Sequence, residues 1–234
     1  MNSTQIIERF EALRDFGFSD RRTAPLLAML ASERAARPEA AALEAIAWAV
    51  ANTDPKQLKA ARRDLERAQA SDAARSLEVI ENAIAEALIE SGAVESMWEL
   101  LAGQYTSMGA DLVRLMSIVD PDRTFTPDTL ALLSHEVLDA YQAMPEVAVQ
   151  LERRFEPLIA LLELAGHTFD RSNPAAYIAA FVASDDTVPD ADLLKAWDTA
   201  DKSRAGRWKA LVAAGGRPVA VATPSEYVAP RKAK

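Results

Sequence analysis

Apolar residues recur three and four positions apart along nearly the whole chain, and the breaks between these runs fall on Pro, Gly, Ser, Thr or Asp. Proline removes a backbone donor, glycine accepts the left-handed conformation that ends a helix, and short polar side chains cap helix starts. Period-two alternation, the mark of a half-buried strand, is absent before the last segment. The pattern predicts an all-α fold, an irregular bundle of about ten to twelve helices, with an extended basic C-terminal tail. No self-similarity at a repeat length of about 33 to 45 residues is present, so a regular solenoid is not expected.

The punctuation sets the expected elements. Ser3 is read as the cap of a first helix with Ile6, Ile7, Phe10 and Leu13 inward, ending at Gly17. Thr23 and Pro25 open a second, and Pro38 opens an Ala-rich third with Leu43, Ile46, Ala47 and Val50 on its packed side. Asp54 and Pro55 start a fourth. A longer helix carries the stripe Leu77, Ile80, Ile84 and Leu88 opposite Glu78, Glu86 and Glu90. Two runs, Val94 to Tyr105 and Met108 to Val119, are expected as separate helices broken at Ser107. Thr126 and Pro127 are expected to open a helix through Leu130, Leu133, Val137, Leu138 and Tyr141, and Pro145 to begin the next, kinked at Pro157. Asn173 and Pro174, Asp190 and Ser203 begin the last three. The expected organisation is an N-terminal helical half over 1–120, a C-terminal half over 121–216 or one continuous domain, and an extended or disordered tail over 217–234.

Charge is distributed unevenly. Residues 202–234 hold eight Lys or Arg and one acid, a net of +7, whereas the preceding 201 residues carry 18 basic and 34 acidic side chains. A basic arm on an acidic body suggests steering or docking of a partner. Prolines at 218, 224 and 230 keep that arm out of a helix, so Val219 and Val221 are expected to add as a strand to a partner's sheet edge. Tyr227 and Val228 would fill a groove, and Arg217, Arg231, Lys232 and Lys234 would supply charge. A second basic feature is the row Lys56, Lys59, Arg63 and Arg67, spaced to share one helix face; together with Arg204, Arg207 and Lys209 it would suit phosphate neutralisation. Trp208, with Leu211 and Val212 at helical spacing, is read as a core anchor.

Signals for catalysis or metal binding are weak. His135 with Asp139, and Glu163 with His167, are each one helical turn apart and would hold a metal only if two helices brought them together. Asp120, Asp122, Thr124, Thr126 and Asp128 imitate a calcium loop, but Phe125 stands where the loop needs Gly and Ala131 where it needs a bidentate Glu; a capped turn explains them better. Asp185, Asp186, Asp190 and Asp192 are read as helix-capping carboxylates near a hinge. The chain has no cysteine, which excludes disulfides, thiolate nucleophiles and thiolate-bound zinc. No phosphate-cradling glycine loop or nucleophile elbow occurs, and no cofactor is called for. The N-terminus lacks the pattern of a secretory signal, and no apolar run approaches membrane-spanning length, so a cytoplasmic protein is expected. The expected function is that of a non-enzymatic adaptor or assembly protein docking a protein partner through its basic extension. Nucleic-acid association through Lys56 to Arg67 and the tail, and a helical-bundle enzyme or metalloprotein, are the alternatives.

Overall fold

The computed structural model describes residues 2–17, 20–35, 38–52, 55–69, 72–184, 190–199 and 202–230. Among them are eleven α-helices and one two-residue strand pair, so the fold is an all-α multi-helix bundle. The chain divides into two compact units, Met1–Val94 and Glu95–Lys234. The stretch 120–127, where the sequence suggests a boundary, lies inside the second unit, as does the C-terminal segment.

The first unit contains α1 (Ser3–Asp15), α2 (Thr23–Ala35), α3 (Pro38–Ala51), α4 (Pro55–Gln69) and α5 (Asp72–Glu90). Asn2, not Ser3, caps α1: its side chain accepts from Gln5 N while the Gln5 side chain accepts from Asn2 N, so two orphan donors are satisfied reciprocally. Ile7, Phe10 and Leu13 of α1, Leu27 and Leu30 of α2, and Ile84 and Leu88 of α5 form the core. Arg34 fastens the three helices from the side, donating to Glu11 at 3.1 Å and Glu81 at 2.9 Å. Leu77 lies among the side chains outside the description.

In the second unit, α6 (Ala93–Ile118) is one helix rather than two. Trp98, Leu101, Tyr105, Leu112 and Leu115 make a single buried stripe that runs past Ser107, and burial of that face outweighs the weak helix preference of Ser and Gly within it. The expected helix at Thr126–Pro127 shrinks to the single turn α7 (Pro127–Leu130), capped by Thr126, and a second cap at Ser134 starts α8 (His135–Leu164). Pro145 therefore sits inside α8 instead of opening it, while Pro157 lies within the helix as expected. At Pro145 the carbonyl that loses its helical donor is that of Tyr141, and Arg204 supplies a replacement, Nη1 to O at 3.2 Å.

After α9 (Pro174–Phe181), α10 (Asp190–Asp198) and α11 (Arg207–Ala213) pack beside α8 and α6 around Phe155. The Phe155 ring lies 5.2–5.9 Å from those of Phe181, Tyr177, Trp197, Trp208 and Tyr105. Trp208 is fully buried, as its spacing with Leu211 predicts. Strand β1 (Val182–Ala183) pairs antiparallel with β2 (Arg217–Pro218), Val182 opposite Pro218.

Candidate functional site

The C-terminal extension is extended, as its prolines require, but through residue 230 it is not a free arm. Val219 N donates to Phe181 O and Val221 N to Ala180 O, each at 3.0 Å. Those carbonyls belong to the last turn of α9, which lacks intrahelical donors, so the segment caps that helix end with its own backbone. Trp98 Nε1 donates to Val221 O at 3.1 Å, and Ala220 N reaches Thr106 Oγ1. Gly109 of α6 admits the segment: a Cβ there would stand 2.1 Å from Pro218 O. Tyr227 is buried against His167 and Phe169, with ring centroids 5.6 and 5.8 Å away, and burial raises its phenol pKa.

Of the residues expected to meet a partner there, Val219, Val221 and Tyr227 are thus engaged within the protein, Arg217 is exposed on β2, and Val228 is exposed. Arg231, Lys232 and Lys234 lie outside the described residues. The physical reason for the correction is that an extended backbone needs hydrogen-bond partners, and α9 and α6 provide them in the same unit.

Three cations preceding the extension are also occupied. Arg204 stacks on Tyr141, 3.7 Å from the ring centroid. Arg207 pairs with Glu152 at 2.9 Å and lies over Trp197 at 4.4 Å. Desolvation raises the Glu152 pKa, opposed by the charge and hydrogen bond of Arg207. Lys209 bonds to Asp122 and approaches Asp120 at 3.7 Å. These residues, placed by sequence in a phosphate-binding set, are bound to partners in their own unit.

The row on α4 differs. Ala61 is buried and Leu58 and Leu65 half-buried, so Lys56, Lys59, Arg63 and Arg67 project from the opposite face, exposed. Arg67 pairs with Asp64 at 3.5 Å, whereas Lys59, Arg62 and Arg63 have no ion-pair partner among the described residues. Helix α4 packs mainly against α3, and the face of α3 turned inward is not the expected one. Ala42 and Ala49 are buried and Ile46 is half-buried, while Leu43, Trp48 and Val50 are 55%, 52% and 61% exposed. Small residues facing inward let α3 and α4 approach closely, which leaves the larger apolar side chains outside. Leu43, Ala47 and Val50, at i, i+4 and i+7, form an unpartnered apolar ridge, with Trp48 off its flank. The sequence signal for this surface is that α3 is apolar on nearly every side, more than packing on one neighbour can cover.

The histidines do not converge. His135 and Asp139 open α8 and Glu163 ends it, with His167 just beyond. At about 1.5 Å per residue, roughly 40 Å of helix separates the two pairs. Among the described residues no group of three or more His, Asp or Glu is placed to hold a metal. Asp120 and Asp122 face Lys209, and Thr126 accepts from Thr129 N, so the calcium-like stretch is a capped turn. Asp190 and Asp192 occupy the first turn of α10; Asp185 and Asp186 lie outside the described residues. No helix among the described residues is long and apolar enough to cross a membrane.

No protein-family model matches the chain, and no curated protein or solved structure matches it significantly.

Proposed function

We propose that this protein is a helical interaction module and that its α3–α4 hairpin docks an amphipathic, acidic helix of a protein partner. The observation carrying this reading is the ridge of Leu43, Ala47 and Val50, whose two large members are more than half exposed and stand on one face of α3. Covering a side chain of this size stabilises a complex by about 1.5 to 3 kcal/mol, and i, i+4, i+7 anchors are the spacing by which helices recognise one another. Lys59, Arg62 and Arg63 select the charge of the occupant, since α4 carries five basic and two acidic residues. The adaptor role expected from sequence is retained, and its docking surface moves from the C-terminal extension to the first unit.

The test is site-specific photocrosslinking in the native cell from positions 43 and 50, with position 132, an exposed Leu132 in the second unit, as control. The expected result is one protein joined at both test positions through an acidic, helix-forming peptide, and lost when Lys59, Arg62 and Arg63 become Glu. Crosslinks to α5 of another copy would make the occupant the chain itself. No crosslink beyond that of the control would refute docking here.

A second reading, phosphate contact by nucleic acid, is supported by the same three unpaired cations and by exposed Trp48 near the turn end of the hairpin. It requires retention on DNA or RNA at low salt that weakens steeply as salt is added.

A further inference from the structure

The second unit holds a cleft of about 540 Å³ between α8 and the segment 203–208, within the size range of small-molecule sites. Its lining includes Ala148 and Val149 on one side and Ala205 and Trp208 on the other, with Glu152, Arg153, Ser203 and Arg204 among the polar members. Pro145 is half-buried and Val149 exposed, so the cleft offers apolar surface between its polar members.

The rim charges point to an anionic occupant, because they fail to cancel. Glu152 is neutralised by Arg207, which leaves Arg204 balanced only by the Tyr141 carbonyl and ring, and Arg153 with no partner among the described residues. A carboxylate on a flat apolar body would set that body against Pro145 and Val149 and its oxygens within reach of the guanidinium groups.

We infer that this cleft binds a small aryl carboxylate, with Arg153 and Arg204 as the anion-recognising pair. This is independent of the hairpin surface in the first unit. The probes are 2-naphthoate, its uncharged relative 2-naphthol and the cation 2-naphthylmethylammonium, titrated calorimetrically into the full chain. Naphthoate is expected to bind with a Kd of roughly 1 mM or tighter, the affinity usual for a ligand of its size. The amine should bind about tenfold more weakly. Arg153→Gln, at an exposed position, should weaken naphthoate about fivefold or more with the melting temperature unchanged, and Val149→Glu should weaken it further by placing a like charge at the wall. Equal binding of all three probes, no detectable naphthoate binding, or an Arg153→Gln protein that binds naphthoate as well as the parent would each overturn the assignment.

Discussion

Two glycines on one helix give opposite predictions for the same substitution. Gly103 and Gly109 both lie within α6, where Ala is favoured over Gly by about 0.8 to 1 kcal/mol. At Gly103 an added Cβ meets nothing within 4 Å, so Gly103→Ala should stabilise by about that amount. At Gly109 it meets Pro218 O at 2.1 Å and Pro218 Cβ at 2.7 Å, one of them a backbone atom that cannot rotate away. Carbon and oxygen do not approach closer than about 3.2 Å, so Pro218 must retreat by about 1 Å. The neighbouring bonds, Val219 N to Phe181 O, Val221 N to Ala180 O and Trp98 Nε1 to Val221 O, start at 3.0, 3.0 and 3.1 Å and would stretch out of range. At about 1 kcal/mol each, less the propensity gained, the expected net loss is about 2 kcal/mol. That corresponds to a fall of roughly 4 to 8 °C in Tm, against a rise of roughly 2 to 4 °C for Gly103→Ala. The assay is thermal unfolding followed by tryptophan emission in a Trp48→Phe background, because the remaining three tryptophans all belong to the second unit. If Gly109→Ala melts at or above the parent, the C-terminal segment does not lie on α6, and the extension regains its standing as a free arm.

Truncation after Gly216 should lower the same transition, since it strips the Val221 donor from Ala180 O, leaves Phe181 O with the Tyr105 hydroxyl alone and leaves the Trp98 indole without its acceptor; an unchanged melt would contradict this. Tyr105, buried with its hydroxyl donating to Phe181 O at 3.1 Å, has its phenol pKa raised well above 10, mainly by desolvation. Its native form holds its proton where the unfolded chain releases it, so its contribution is constant below pH 10 and stability should fall above it by up to about 1.4 kcal/mol per pH unit, with Tyr105→Phe showing the shallower decline in alkaline urea titrations. In the first unit, Arg34→Met should cost about 1 to 2 kcal/mol by releasing Glu11 and Glu81, measured by urea unfolding and partly suppressed by high salt. Arg204→Ala should destabilise by about 1 kcal/mol and lose much of that effect in a Pro145→Ala background, where residue 145 donates to Tyr141 O itself; equal losses in both backgrounds would show that Arg204 does not serve the proline gap.

Helices were legible because their caps and stripes are local. The Ile84 and Leu88 stripe of α5, the Asn173 cap of α9 and the buried Trp208 all follow from spacings of three or four residues. What the sequence misassigned depends on distant partners. Nothing near Ser107 tells that Tyr105 and Leu112 will bury on one continuous face, and nothing near Pro145 announces that an arginine 59 positions later will satisfy the carbonyl it orphans. The orientation of α3 is a similar case. Leu43 and Val50 form as good a stripe as Ala42 and Ala49, and only the close approach of α4 decides in favour of the smaller pair.

The basic end of the chain shows the same separation of sequence from space in electrostatic terms. Its excess positive charge reads as an outward-reaching arm only if the acids it lacks nearby are also distant in the fold. Glu152, Asp120 and Asp122 precede Arg207 and Lys209 by some 55 to 90 residues, yet sit within ion-pair range of them. An arginine or lysine so held has its charge largely compensated, and attraction of a further anion to it is reduced accordingly. Lys59, Arg62 and Arg63 belong to a helix that also carries Asp64 and Glu66, and beside the basic end of the chain they look less conspicuous. Lacking ion-pair partners among the described residues, they keep their field, on a helix whose packing partner α3 exposes apolar side chains. Charge left unpaired after folding, rather than charge counted along the chain, is what a partner meets, and by that measure the stronger case for docking lies in α3 and α4.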